Sequence, residues 1–230
     1  MKKVALIVTN ATGPLPSGPT GLFLPELAHP YFALVEGGYE PVLVSPLGGR
    51  AANDLRHIDQ VLDDELVARF YEDAELMALI DDTKAPTEVD SSEYAAVVYI
   101  GGHGAPFDYR SSKTLNAFAE RIYAQGGIVA GICHGVCGLI DLENDAGQPL
   151  VAGRRVTGFS NEEEGGLRDA MPYLLEDALV AQGAVFSRVQ PWASNVEVDG
   201  RLISGQQHRS AAEFTRAVMT ALSEGARKGH

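Results

Sequence analysis

The feature that most constrains this chain is the run Gly127-Ile128-Val129-Ala130-Gly131-Ile132-Cys133-His134-Gly135. A buried-type apolar run ends in Gly-x-Cys-x-Gly, and an apolar helical pattern follows. That is the grammar of a nucleophile elbow, a sharp strand-to-helix turn that lifts one side chain out of a sheet. Side chains flanking the apex would collide in so tight a turn, and glycines avoid the collision. The apex residue is a cysteine and the next a histidine. A thiol needs a base or a positive neighbour to become thiolate near neutral pH, and His134 is the candidate.

The elements around the elbow set the fold expectation. Lys3 to Val8 reads as a central strand, followed by a Gly/Pro-rich loop to about Leu24. A helix starts near Pro25 or Glu26 and stops at Gly37-Gly38, and Pro41 to Ser45 forms a second strand. Residues 46–92 are a long acidic excursion whose middle, Asp63 to Ile80, has helical spacing. Tyr94 to Ile100 is a third strand ending in Gly101-Gly102-His103-Gly104. Leu115, Phe118 and Ile122 mark a helix stopped by Gly126-Gly127. Later, Pro172 to Gln182 reads as a helix closed by Gly183. Ala184 to Val189, Asn195 to Val198 and Leu202 to Ser204 read as strands. Ser210 and Glu213 read as a capping box for a last helix carrying Phe214, Val218 and Leu222.

This alternation predicts an α/β fold: a doubly wound, mostly parallel, flavodoxin-like sheet with helices on both faces. The length suits one domain over 1–230 that includes the excursion. Such folds place ligands beyond the carboxyl ends of their strands. Gly102-His103-Gly104 and Cys133-His134 both fall at strand ends, so they are expected to line one pocket.

Charge and cysteine content exclude several classes. A formal charge of −13 argues against nucleic acid or anionic membranes as partners. Residues 61–100 carry eleven acidic side chains against Arg69 and Lys84, which reads as a solvated helical face. Cys133 and Cys137 lie four apart at one presumed helix start, which speaks against disulfide scaffolding and for a reducing compartment. The apolar run from Val4 to Val8 is too short for a signal peptide, and no stretch approaches membrane-spanning length. The expectation is a cytoplasmic protein.

Cys133 is the favoured nucleophile, whereas Cys137, one turn later without such surroundings, reads as core packing. His134 needs a carboxylate to fix its tautomer, and Glu162, Glu163 and Glu164 follow Thr157-Gly158-Phe159-Ser160. Three consecutive acids are usually solvated, so one or two at most would point inward. The glycines at 101, 102 and 104 permit close backbone approach, and their N–H groups suit an oxyanion. Gly102-His103-Gly104 is not a dinucleotide fingerprint, because it neither follows the first strand nor continues as Gly-x-Gly-x-x-Gly. His29, His57 and His208 lack metal-ligand spacing and read as surface or packing residues. No metal or cofactor is expected.

With these residues assembled, the chain resembles the ThiJ/PfpI superfamily, within the class I glutamine-amidotransferase-like fold. It is most similar to the branch of heat-shock-type chaperones and cofactor-independent glyoxalase III enzymes. The marks are Thr20-Gly21 with Glu26, Ser45-Pro46-Leu47-Gly48-Gly49, and Gly101-Gly102-His103-Gly104 with Asp108. They continue with Ile132-Cys133-His134-Gly135, Thr157-Gly158-Phe159-Ser160-Asn161 with the glutamates, and Ile203-Ser204-Gly205-Gln206. The resemblance implies Cys133 as nucleophile and His134 as base, with Glu164 orienting the histidine and Glu163 as the nearby alternative. It implies Glu26 beside the sulfur and an oxyanion site from Gly102 and the His134 N–H, with His103 among the substrate-binding residues. It also implies a homodimer. The chain departs from the family pattern at Val136, where many relatives have proline, and at Gln206-Gln207-His208-Arg209-Ser210, which replaces a Gln-Asn-Pro type of ending.

The expected function is conversion of a 2-oxoaldehyde such as methylglyoxal to a hydroxy acid through a cysteine hemithioacetal. The alternative is a stress-response holdase or a cysteine-based oxidation sensor. A glutamine amidotransferase carries less weight, because the late His-x-Glu pair of that family is absent: His208 is followed by Arg209-Ser210, and His230 ends the chain. Nothing in the sequence defines the cleft of a peptidase.

Overall fold

The computed structural model describes residues 2–228; His230 lies outside them. In chain order its main elements are β1 (Lys3–Ile7), α1 (Leu24–Glu36), β2 (Glu40–Val44), α2 (Glu65–Glu72) and α3 (Ala74–Asp81). Next come β3 (Tyr94–Tyr99), α4 (Ala105–Asp108), α5 (Lys113–Ala124), β4 (Ile128–Ile132) and a 3-10 segment, Cys133–Leu139. The last third holds β5 (Arg155–Val156), α6 (Asn161–Glu164), α7 (Leu175–Ala181), β6 (Val185–Phe186), β7 (Val196–Asp199), β8 (Leu202–Gly205) and α8 (Ala211–Lys228).

Six strands form the main sheet in the order β2-β1-β3-β4-β8-β7. All neighbours are parallel except β7 and β8. This is the expected doubly wound sheet with an antiparallel edge. The strand order reverses at β1, so right-handed crossovers put α1 and α5 on opposite faces. The apolar runs of β1 and β4 are buried on both sides, as central parallel strands require. Phe214, Val218 and Leu222 of α8 and Leu115, Phe118 and Ile122 of α5 all enter the core, as their spacing predicts. No described helix is long and apolar enough to cross a membrane.

Four segments depart from the sequence expectation. The helical stretch at 63–80 is two helices, because the Asp73 carboxylate accepts the N–H groups of Glu75 and Leu76 and starts a new helix. The segment after the elbow winds as a 3-10 helix. The strand expected at 184–189 shrinks to β6, which pairs with β5 in a separate two-stranded sheet. Ser210 and Glu213 turn to a neighbouring loop instead of forming a reciprocal cap: Ser210 Oγ accepts the Asn195 N–H at 3.1 Å, and Glu213 accepts the Ser194 hydroxyl at 2.7 Å.

Register brings the functional strand ends together. Ile7 lies opposite Tyr99, Tyr99 opposite Gly131, and Ile132 opposite Gly205. The segments at 100–103 and 132–134 therefore leave the sheet side by side. The Tyr109 hydroxyl lies 2.8 Å from the Ile7 carbonyl and 2.9 Å from that of Ile100, tying two of these ends. Asp108 holds the loop after β1 by accepting the Thr9 hydroxyl at 2.8 Å and the Asn10 and Ala11 N–H groups at 2.8 and 3.1 Å.

The elbow fits only because Gly135 lacks a side chain. A Cβ there would overlap the Tyr99 carbonyl oxygen and fall 2.8 Å from the Ile100 carbonyl carbon. These are backbone atoms at and just past the end of β3 that cannot give way. Gly135→Ala is expected to lower stability by about 3 kcal/mol, the upper range for overpacking. Exposed Gly166 has open space around it, so Gly166→Ala stays within about 0.5 kcal/mol. Urea denaturation of both variants checks this, and equal midpoints would contradict the crowded elbow.

Candidate active site

Cys133 adopts φ 57° at the apex, a left-handed conformation that non-glycine residues avoid and that a nucleophile elbow requires. Cys133 is buried, with the residue 6% exposed. His134 follows at once and is buried too. Its Nδ1 lies 3.6 Å from Cys133 Sγ, while its Nε2 lies 2.8 Å from Glu164 Oε2. A carboxylate can only accept, so Nε2 carries the proton and Nδ1 turns its lone pair to the thiol. That is the tautomer a general base needs.

The glutamate ambiguity is resolved by helix geometry. In α6, Glu162 faces solvent while Glu163 and Glu164 are buried. Glu163 is fully occupied elsewhere. Its Oε2 accepts the Ser160 N–H and hydroxyl at 3.0 and 2.8 Å, and its Oε1 accepts the Trp192 N–H and the Gln206 amide, each at 3.0 Å. Glu164 alone reaches the histidine. It also lies 3.3 Å from His103 Nε2 through Oε1, so the ring of His103 joins the carboxylate that orients His134.

Burial pushes the Glu164 carboxyl up, but His103 and His134 outweigh it and hold the group at about 2. Burial lowers the His134 pKa, and His103 beside it acts in the same direction, against the pull of Glu164. The resting pair is thus a neutral imidazole against a carboxylate. Glu26, from the first turn of α1, is fully buried next to the thiol and the Gly101 N–H. Neither of its oxygens has a partner at hydrogen-bond geometry among the described residues. Burial raises its pKa from 4.5 to about 8, against the pull of Cys133 and Gly101. Burial, and Glu26 when charged, push the Cys133 thiol up, while the N–H groups of His134 and Gly102 pull it down. Gly102 has φ 111°, and a Cβ there would meet the Gly21 carbonyl and lie 2.7 Å from the Phe23 nitrogen. The chain can present its N–H at this point only as glycine.

The structure thus gathers Cys133, His134, Glu164, Glu26 and His103 into one cluster at the end of the strand that leads to Gly101-Gly102. Two further residues join them that sequence reasoning placed elsewhere or passed over. His208, read as surface or packing, does pack, against Phe23 and Trp192 with ring centroids 5.4 and 5.9 Å away, in a ring series that leads through Phe159 to His134. Phe159 stacks on His134 at 4.2 Å and an interplanar angle of 31°. Of the other scattered histidines, His29 pairs with Asp64 at 2.7 Å and His57 lies near Gln60. Cys137 is wholly buried in the core, as expected. Val136, at the departure from proline, is also buried, against Gly131 and Gly158.

Ligand atoms of His103, His134 and Glu164 lie within 4.8 Å of one another, the one such cluster among the described residues compact enough for a metal ion. A metal taking His134 Nε2 would displace the proton that Glu164 accepts. Metal binding there and the base role of His134 exclude each other.

The profile of the DJ-1/PfpI family matches residues 24–221. The glutathione-independent glyoxalase HSP31 of Saccharomyces cerevisiae is 31% identical over 223 residues, 91% of this chain and 93% of the relative. The crystal structure of glyoxalase III from Candida albicans superposes with a TM-score of 0.87 at 28% identity, covering 96% of this chain and 97% of that one. Rapid encystment protein 24 kDa of Francisella tularensis superposes with a TM-score of 0.90 at 34% identity, covering 96% and 99%. The chain belongs to the DJ-1/PfpI family, as its motifs led us to expect.

The raised Glu26 pKa gives a pH dependence with a definite sign. The folded carboxyl keeps its proton to about 8, whereas an unfolded one releases it near 4.5. Folded protein therefore binds the extra proton between these values, and stability falls as pH rises through that window. The loss is on the order of 5 kcal/mol in all. Glu26→Gln, which cannot ionise, is expected to flatten this slope. Denaturation at pH 5 and pH 8.5 measures it, and parallel losses in both proteins would contradict the assignment.

Proposed function

We propose that this DJ-1/PfpI family member is a glutathione-independent glyoxalase of the glyoxalase III type, converting 2-oxoaldehydes such as methylglyoxal to 2-hydroxy acids. The observation that carries the reading is the buried relay from Cys133 Sγ through His134 to Glu164, with protonated Glu26 beside the sulfur. The names of the full-length relatives support it.

His134 Nδ1 takes the thiol proton as Cys133 Sγ adds to the aldehyde carbon, giving a hemithioacetal. Glu164 stabilises the imidazolium. The N–H groups of Gly102 and His134 hold the oxygen on which charge develops. A proton then leaves the former aldehyde carbon and another is delivered to the neighbouring carbonyl carbon, through an enediol, with His134 as the shuttle. The first carbon is oxidised to a thioester and the second is reduced to a carbinol, so no external redox partner enters. Water hydrolyses the thioester, releasing the hydroxy acid and restoring the thiol. Neutral Glu26 spares the forming thiolate a repelling charge and has a proton to share with it.

In this reading residues 1–230 act as one domain. The two cysteines, both free, support a reducing and hence cytoplasmic setting. A homodimer stays the expectation from the family resemblance.

Chelator-treated protein is expected to form lactate from methylglyoxal without glutathione. Cys133→Ala should lower that rate at least about 1000-fold, and Glu164→Gln about 100-fold, since the base loses its orientation. Lactate is measured directly. Full activity in Cys133→Ala would sink the mechanism. Suppression of client aggregation that survives Cys133→Ala, with no turnover of carbonyl substrates, would favour the holdase alternative instead.

A further inference from the structure

Four rings form a continuous arc that begins on His134, the neighbour of Cys133. Phe159, stacked on His134, lies 5.9 Å from Trp192; Trp192 lies 5.9 Å from His208; His208 lies 5.4 Å from Phe23. The backbone of Phe23 closes the arc, since its N–H donates to the Gly101 carbonyl at 3.0 Å, beside the oxyanion glycine. One end of the arc thus rests on the base and the other on the oxyanion site. Burial, helped by adjacent Arg209, lowers the His208 pKa, so its ring is uncharged at neutral pH.

The arc is built rather than incidental. Trp192 is 43% exposed and sits at φ 66°, a conformation in which a bulky residue is an outlier. Such strain persists only where the surroundings impose it. Here three clamps do so. Gln206 Oε1 accepts the Val189 N–H at 3.0 Å, Glu163 Oε1 accepts the Trp192 N–H at 3.0 Å, and the Gln207 amide donates to the Ala193 carbonyl at 3.0 Å. Gln207 and His208 belong to the segment where the chain departs from the family pattern.

From this geometry we infer that Phe23, Phe159, Trp192 and His208 form an aromatic subsite that receives the substituent of the 2-oxoaldehyde, favouring aryl-substituted substrates over methylglyoxal. The substrate class rests on the glyoxalase reading; the existence of the subsite does not. A methyl group needs no such arc. A phenyl group would extend a series of rings that already meet one another at the edge-to-face and tilted separations aromatic pairs favour.

Trp192 is the sole tryptophan of the chain, so intrinsic fluorescence reports on the arc directly. Wild-type protein titrated with mandelate, the hydroxy acid from phenylglyoxal, should show a saturable emission change at concentrations where lactate gives none. No change with mandelate, or equal changes with both acids, overturns the subsite. In turnover, Trp192→Ala should lower the ratio of kcat/KM for phenylglyoxal over methylglyoxal about tenfold, the scale of one aromatic contact. Trp192→Phe should restore most of it, and an unaltered ratio in Trp192→Ala overturns the preference. If neither aldehyde is turned over, the glyoxalase reading fails, while the mandelate titration still decides the subsite.

Discussion

Backbone crowding between the elbow and β3 governs everything built above it. Gly135 presses on the carbonyl of Tyr99 and the backbone of Ile100, and that contact fixes how steeply the chain turns after Ile132. The turn sets Cys133 at φ 57°, a conformation that costs an L-residue about 1–2 kcal/mol. In return the thiol projects out of the sheet between the ends of β3 and β4. Tyr99 lies opposite Gly131, so the segments that follow the two strands, with Gly102 on one and His134 on the other, leave the sheet side by side. The nucleophile and oxyanion donors we propose are thus one consequence of two strands packed without an intervening side chain.

Around that apex three buried glutamates meet different fates, decided by their neighbours. Glu163 meets four neutral donors and becomes a structural clamp. Glu164 meets two imidazoles and stays ionised. Glu26 meets only a thiol and one N–H and keeps its proton to about 8. At neutral pH the groups in reach of the thiol are a protonated acid, a neutral base and one carboxylate. Protons can move among them without a second negative charge forming at a buried site, where desolvation would oppose it strongly.

Much of this was legible in the sequence, for steric reasons. An elbow has few solutions, so Gly-x-Cys-x-Gly after an apolar run locates it, and glycines ending the third strand mark the facing loop. Periodicity gave the core faces of α5 and α8. It failed at Asp73, because apolar spacing runs through the break and only the side-chain cap divides the two helices. It also could not choose between Glu163 and Glu164. Both turn inward on one short helix, and the choice depends on which carboxylate meets Ser160 and Trp192 and which meets the histidines. The resemblance favoured Glu164, and the distance to His134 shows the physical reason.

The ring series was illegible for another reason. Trp192 lies in a segment with no periodicity, placed by three side chains distant in sequence, and His208 sits in a tight turn before α8. Nothing local announces either position. The acid-base centre is made from strand ends and α6, the ring series from loops held by hydrogen bonds, and the two can vary separately. Phe159 is the exception. It touches His134 on one side and Trp192 on the other, at 4.2 and 5.9 Å. A substituent that shifts Phe159 would reach the base directly, so at this one ring the fit of the substrate and the orientation of its catalyst are coupled.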